Sequence, residues 1–204
     1  MKRLASLLLV LTAFTAAGQN IVSDFAKTLR DGCATFGYSY SMSGQVPLSG
    51  SGTVSLQGDS FTMKGDGIEV YCDGATRWTV DTVAEECYIE EVKAGGRDYE
   101  ANPALLVGAV DKAFKLTGTK AATFNGQKVT EAVLVPAAEG GNITELSLMM
   151  ASAQKPSGLL VKTSDGNIIT GVVRDFAVGG KAAEKDFRLD MSRLGKDYIV
   201  TDLR

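Results

Sequence analysis

The stretch that decides the fold is GDSFTMKGDGIEVYCDGATRWTVDTVAEECYIEEV, residues 58–92. Two tight-turn signals, Gly65-Asp66-Gly67 and Asp73-Gly74, divide it into three strand-like pieces, as in an antiparallel meander. Meanders normally have one apolar and one polar face, whereas both faces are apolar here. Each face therefore needs an apolar partner, which could be the core, a helix, a second subunit or a ligand.

The alternation of side chains along a strand assigns residues to these two faces, if Asp73-Gly74 closes the hairpin. Ile68, Val70, Cys72 and Ile89 mark one face, and Tyr71, Trp78, Val80 and Tyr88 mark the other.

The N-terminus has the layout of a secretory signal peptide. Lys2 and Arg3 precede an apolar run that ends at Phe14, and the small residues 15–18 follow. We predict that residues 1–18 are removed and that residues 19–204 form one exported, soluble domain. The alternative is an N-terminal anchor that is not cleaved.

Composition excludes several classes of function. Loss of the two cations Lys2 and Arg3 takes the net charge from −3 to −5, which disfavours binding to nucleic acid or anionic lipid. The chain has no histidine, so the commonest general base and metal ligand are missing. Carboxylate pairs and lysine nucleophiles remain possible, but none is spaced as a motif. We therefore expect no enzyme activity, no cofactor and no metal site.

Cys33, Cys72 and Cys87 allow at most one intramolecular disulfide. In the simple meander Cys72 and Cys87 share a face but lie two strands apart, about 9–10 Å, which is too far for a relaxed disulfide. We favour buried thiols that behave as small apolar side chains, over redox or metal-binding roles.

The remaining pattern predicts many short strands and two helical pieces. Residues 21–30 have helical apolar spacing, with Asn20 as a cap and Gly32 as the end, and residues 104–114 form a second helix behind Pro103. Residues 44–50 are predicted as a turn. Strands are predicted at residues 34–43, 53–56, 129–135, 143–150, 159–163, 167–177, 187–190 and 198–203. The predicted fold is mainly β with helices (α+β), an incomplete and strongly curved antiparallel β-barrel with helices on its concave side.

Phe61-Thr62-Met63, residues 72–80 and residues 86–89 follow one another along the meander. Together these motifs resemble the core pattern of the LolA-like outer-membrane lipoprotein carrier family. Residues 102–114 resemble its middle helix, and residues 186–190 with Asp202-Leu203-Arg204 resemble the ending seen in the Bacteroidetes type.

This resemblance implies a periplasmic carrier that holds the acyl chains of lipoproteins in an apolar cavity under a helical lid. Its implied partners are acylated lipoproteins, an inner-membrane release complex and an outer-membrane acceptor, and we expect a monomer. Residues 104–114 are the candidate lid. The candidate cavity residues are Tyr38, Tyr40, Met42, Phe61, Met63, Tyr71, Trp78, Tyr88, Leu105 and Leu106.

Two alternatives stay open. Each candidate cavity residue could simply be an ordinary core residue, since most large apolar side chains are buried. The scaffold could also serve as an envelope lipid or lipoprotein sensor, or as an interaction module, which predicts an output domain or a stable partner.

Overall fold

A computed structural model of the chain describes residues 13–44, 47–92 and 110–204. The described part contains twelve strands and two α-helices, α1 (Ala13–Asp31) and α2 (Val110–Ala113). Leu105, Leu106 and most of the predicted lid lie outside the described residues, as does most of the predicted signal peptide. The strands are β1 (Cys33–Ser43), β2 (Leu48–Gln57), β3 (Ser60–Gly65), β4 (Ile68–Cys72), β5 (Thr76–Asp81), β6 (Glu86–Glu91), β7 (Phe114–Phe124), β8 (Gln127–Pro136), β9 (Ile143–Ser152), β10 (Lys155–Thr163), β11 (Ile168–Gly179) and β12 (Ile199–Asp202).

All twelve strands form one sheet in the order β12-β6-β5-β4-β3-β2-β1-β11-β10-β9-β8-β7. Neighbours pair antiparallel except β12, which pairs parallel with β6. The sheet is strongly curved and is not closed into a barrel. The predicted fold class, mainly β with helices around an incomplete, curved sheet, is therefore confirmed.

Helix α1 packs its apolar stripe against one face of the sheet, which we call the inner face; the opposite face is the outer face. The stripe consists of Val22, Phe25, Ala26 and Leu29, all buried and spaced as one side of a helix. Asn20 lies inside α1 and is therefore not its cap. It ends at Asp31, directly before Gly32, as predicted.

The meander contains four strands instead of three, and one register differs from the prediction. Tyr71 pairs with Trp78, and Trp78 pairs with Ile89, so these three side chains share the outer face. The predicted grouping of Ile89 with Ile68 and Val70 is wrong. The cause is the four-residue loop between Asp81 and Glu86, because a shift of one residue moves every later side chain to the other face.

Two hydrophobic clusters follow from this arrangement. The larger one lies on the inner face, where α1 and α2 meet strands from both halves of the sheet. The smaller one lies on the outer face of β4–β6, where Tyr71, Val80, Cys87 and Ile89 pack against Leu189.

Three other segments differ from the sequence-based prediction. Residues 114–124 form β7, whereas the sequence pattern predicts a helix that includes Phe114 and no strand at residues 115–124. Residues 187–190, predicted as a strand, begin with the last residue of a 3₁₀ helix (Glu184–Phe187) and end directly before a second one (Met191–Arg193). Strand β2 already begins at Leu48, inside the predicted turn.

The cysteine prediction is confirmed in part. Cys33, Cys72 and Cys87 are all buried thiols. Cys72 belongs to the inner cluster and Cys87 to the outer cluster, so they lie on opposite faces and not on the predicted common face. No helix in the described part of the chain is long and apolar enough to cross a membrane.

Candidate functional site

The candidate site is the inner face under α1, because the larger of the two hydrophobic clusters of the described residues lies there. Strand β1 contributes Phe36, which pairs with Val54 on β2, and Leu56 pairs with Phe61 on β3. From the other half of the sheet, Leu148 and Leu159 pair across β9 and β10. Since directly paired residues share a face, these side chains form one apolar surface that extends across the sheet.

Five of the predicted cavity residues share this face. They lie on β1 and β3 and are Tyr38, Tyr40, Met42, Phe61 and Met63. Phe61 is fully buried, whereas the other four are half-buried. The alternating large side chains of β1 thus lie on the inner face.

The two tyrosines of β1 lie flat against β2. Their rings stack with centroids 6.4 Å apart and planes at 22°. Gly50 and Gly52 are their partners on β2, and a Cβ atom at Gly50 would lie 2.6 Å from the Tyr40 ring. Burial, with the nearby Asp66 carboxylate, raises the pKa of Tyr38, so its phenol is protonated at neutral pH.

The other predicted cavity residues lie elsewhere. Tyr71 and Trp78 are on the outer face, in or against the smaller cluster. Tyr88 shares the inner face with Val70 through Thr79, but it is near the edge of the sheet, is 38% exposed, and donates a hydrogen bond to Glu86 Oε2 at 2.6 Å. The predicted set thus does not form a single lining.

Between α1 and the sheet the described residues enclose an apolar cavity of about 10 Å³. This is the volume that one water molecule needs. The cavity lies where Phe25 of α1 meets β1 and β9–β11, and its lining consists of Phe25, Phe36, Leu148, Pro156, Gly158, Leu159, Val173 and Phe176. At this place the described residues leave room for about one water molecule between α1 and the sheet, so a long apolar chain could enter there only if α1 moved.

Polar contacts join the C-terminal end of α1 to other elements. Arg30 donates to Asp111 Oδ2 of α2 at 2.7 Å, and the two side chains are 39% and 22% exposed. The Leu29 carbonyl accepts from the Gly58 N–H at 3.4 Å. The other oxygen of Asp111 is buried without a hydrogen-bond partner among the described residues. The sequence gives no signal for this ion pair, because its partners are 81 positions apart.

The outer face of β4–β6 is covered by the C-terminal segment of the chain. Arg193 donates to the Tyr71 hydroxyl at 2.7 Å, and that hydroxyl donates to Glu69 Oε2 at 2.5 Å. The hydrogen bond from Tyr71, with the Lys64 and Arg193 charges, lowers the pKa of Glu69 despite partial burial. The sequence analysis did not predict this role of the C-terminal segment. Because the segment covers the outer face of β4–β6, the inner face remains the candidate surface.

No family model and no curated protein matches the sequence. Solved structures do resemble it. An uncharacterized conserved protein from Thermus thermophilus superposes with a TM-score of 0.57 at 12% identity, over 91% of this chain and 99% of that chain. A DUF1329 family protein from Desulfovibrio piger gives a TM-score of 0.50 at 7% identity, over 88% and 98% of the two chains. These two likenesses show a shared fold.

A LolA superfamily protein from Nitrosomonas europaea is also similar. It superposes with a TM-score of 0.48 at 8% identity, over 85% of this chain and 98% of that chain.

Proposed function

We propose that the protein is a LolA-like carrier, of the Bacteroidetes type, that binds the acyl chains of lipoproteins in the periplasm. The inner face is the binding surface and α1 is its displaceable cover. The observation that carries this proposal is the small apolar cavity between one amphipathic helix and a strongly curved apolar sheet. The sequence motifs and the predicted signal peptide support the same function.

Burial of the α1 side chains on the inner face and burial of an acyl chain there have comparable free energies. Returning Val22, Phe25 and Leu29 to water costs about 1.5–3 kcal/mol for each side chain, or about 5–9 kcal/mol together. An acyl chain that buries about 14 methylenes gains about 11 kcal/mol, at about 0.8 kcal/mol each. Exchange of α1 for an acyl chain is thus feasible, and release requires only that α1 returns or that a stronger acceptor competes.

This mechanism assigns roles to the proposed partners. An inner-membrane release complex supplies the acylated lipoprotein, and an outer-membrane acceptor removes it by offering a better apolar environment. Tyr38, Tyr40, Met42 and Met63 are the proposed contact residues on the sheet, since flexible methionines and flat aromatic rings adapt to a featureless chain.

Fluorescence anisotropy with a labelled diacylated lipopeptide tests the proposal on the chain without residues 1–18. Val173 pairs with Tyr38 and lines the cavity, whereas its neighbour Val172 pairs with Ser39 on the outer face. Val173→Glu places an unpaired charge on the binding surface, so we expect at least about tenfold weaker binding. Val172→Glu is the matched control, on the same strand and half-buried like Val173, and should bind like the unmodified protein.

Circular dichroism checks that both variants keep the fold. Equal binding by the two variants, or no binding by the unmodified protein, contradicts the proposal. Lipopeptide that stays bound when acceptor vesicles are added would favour a sensor over a carrier.

A further inference from the structure

Strand β12 (Ile199–Asp202) is an edge strand with exposed apolar side chains. It is the last strand of the described sheet, and Ile199, Val200 and Leu203 are 64%, 44% and 61% exposed. Proteins usually protect edge strands with lysines, prolines or bulges, which prevent pairing with another chain. β12 has neither lysine nor proline between positions 199 and 202.

The hydrogen bonds of β12 leave one row of backbone groups directed outwards. Ile199 and Leu203 donate their N–H groups to the carbonyls of Glu85 and Ile89 on the β6 side, at 2.9 and 2.8 Å. Backbone groups alternate in direction along a strand. The N–H and C=O groups of Val200 and Asp202 therefore point away from β6, towards the free edge.

This edge is complementary to itself. If two copies of β12 pair antiparallel about Thr201, Val200 of each copy lies opposite Asp202 of the other, and each such pair exchanges two backbone hydrogen bonds. The same register places Ile199 of each copy opposite Leu203 of the other, on the inner side. The outward backbone groups and the exposed side chains of Ile199 and Leu203 thus favour the same register.

Charge does not oppose this pairing. Residues 196–204 contain Lys196 and Arg204 with Asp197 and Asp202, so their charges cancel. Arg204 also contacts Asp202 of its own chain at 2.6 Å. Two copies of the segment therefore meet without net repulsion, although the whole chain is acidic.

We propose that the occupant of this edge is a second copy of the chain, which forms a symmetric dimer through antiparallel β12–β12 pairing about Thr201. The two sheets then continue into each other, with both inner faces on one side. The contact is short, so the dimer is a weak one, with a Kd between about 1 μM and 1 mM. This proposal is independent of the carrier function and differs from the monomer expected from the sequence.

Sedimentation equilibrium over this concentration range tests the dimer. The unmodified chain should change from monomer to dimer as its concentration rises. Ile199→Glu and Leu203→Lys should each weaken the dimer by at least about tenfold, because each variant places a charge opposite an apolar side chain. Val83→Lys is the control, since Val83 is 82% exposed in the loop before β6 and lies outside the paired strands.

The register itself is tested by restoring complementarity. The double variant Ile199→Glu/Leu203→Lys brings each new glutamate opposite a new lysine of the other copy, so we expect dimerisation to recover. The proposal is overturned if the unmodified chain stays monomeric throughout, if Val83→Lys weakens the dimer as much as the edge variants, or if the double variant does not recover.

Discussion

At Asp73 one carboxylate joins the β4–β5 turn to the C-terminal segment. It accepts hydrogen bonds from the Ala75 and Thr76 N–H groups at 2.9 and 2.8 Å, and from Arg188 Nε at 2.9 Å. Its side chain is only 6% exposed. Burial opposes ionisation, but the bonds from Thr76, Ala75 and Arg188 outweigh it and lower the pKa of Asp73.

The lowered pKa of Asp73 predicts an acid-dependent stability. The carboxylate stabilises the fold above the unfolded-state pKa of about 3.9, and this contribution is lost as the pH falls through the lower folded-state pKa. Asp73→Asn should therefore lower the free energy of unfolding by about 1–2 kcal/mol at pH 7, with a difference that shrinks below about pH 4. Urea unfolding at a series of pH values measures this.

Asp81→Asn is the matched control. Asp81 accepts the same kind of bonds, from the Val83 and Ala84 N–H groups at 2.9 and 2.8 Å, and no arginine contacts it in the described part of the chain. Its loss should stay below about 0.5 kcal/mol. Equal losses in both variants would mean that Arg188 contributes nothing.

Strand β2 needs glycine at Gly52 because it packs too closely against β3 for a larger residue. A Cβ atom at Gly52 would lie 2.2 Å from the Lys64 carbonyl oxygen and 2.8 Å from the Tyr38 hydroxyl. The Lys64 oxygen belongs to the backbone of β3, so it cannot move unless the two strands separate. The glycines of LSGSGTVSLQ thus allow close packing, although their positions resemble a turn in the sequence.

Gly52→Ala should therefore destabilise the protein by about 1–3 kcal/mol, because the strands must separate. Gly118 in β7 has open space around its Cβ position, so Gly118→Ala should change stability by less than about 1 kcal/mol and in the stabilising direction. Thermal unfolding followed by circular dichroism compares the two. A Gly52→Ala variant as stable as the Gly118→Ala variant would show that β2 can adjust.

Elements with a strong local sequence pattern could be predicted from the sequence, whereas the register between paired strands could not. Phe36, Tyr38 and Tyr40 alternate with small polar residues, so β1 and its inner side followed from the sequence. The β5–β6 register did not, because Glu85 adopts a φ of 58° without a glycine or asparagine to signal it. The alternation along β1 indicates which of its residues share a face, whereas the contacts of α1 depend on pairings between distant positions.

At the scale of the whole molecule, different parts of the chain cover part of each side of the sheet. Helix α1 packs on the inner face, and Leu189, Leu194 and Tyr198 cover the outer face of β4–β6. Cys87 is fully buried under this outer cover, and its burial raises the pKa of the thiol. The reactivity of the Cys87 thiol therefore reports whether the C-terminal segment covers the outer face of β4–β6.

Leu189→Ala should open the outer cover. We expect a loss of about 2–4 kcal/mol in the free energy of unfolding and faster alkylation of Cys87 by iodoacetamide than of Cys33. Intact mass and peptide mapping measure the rates. Met191→Ala, in the same segment but 41% exposed, should leave Cys87 protected. Alkylation of Cys87 at the same rate in both variants would contradict this assignment of the cover.

The central position of β1 in the sheet affects how the chain folds. Tyr38 pairs with Gly52 on one side and with Val173 on the other. When the chain is synthesised from its N-terminus, β2 follows β1 directly. The other partner, β11, is made only after most of the polypeptide. One backbone edge of β1 is therefore open to wrong partners for most of that interval. This high contact order predicts slow refolding, in about milliseconds to seconds, with joining of the two halves of the sheet as the late step.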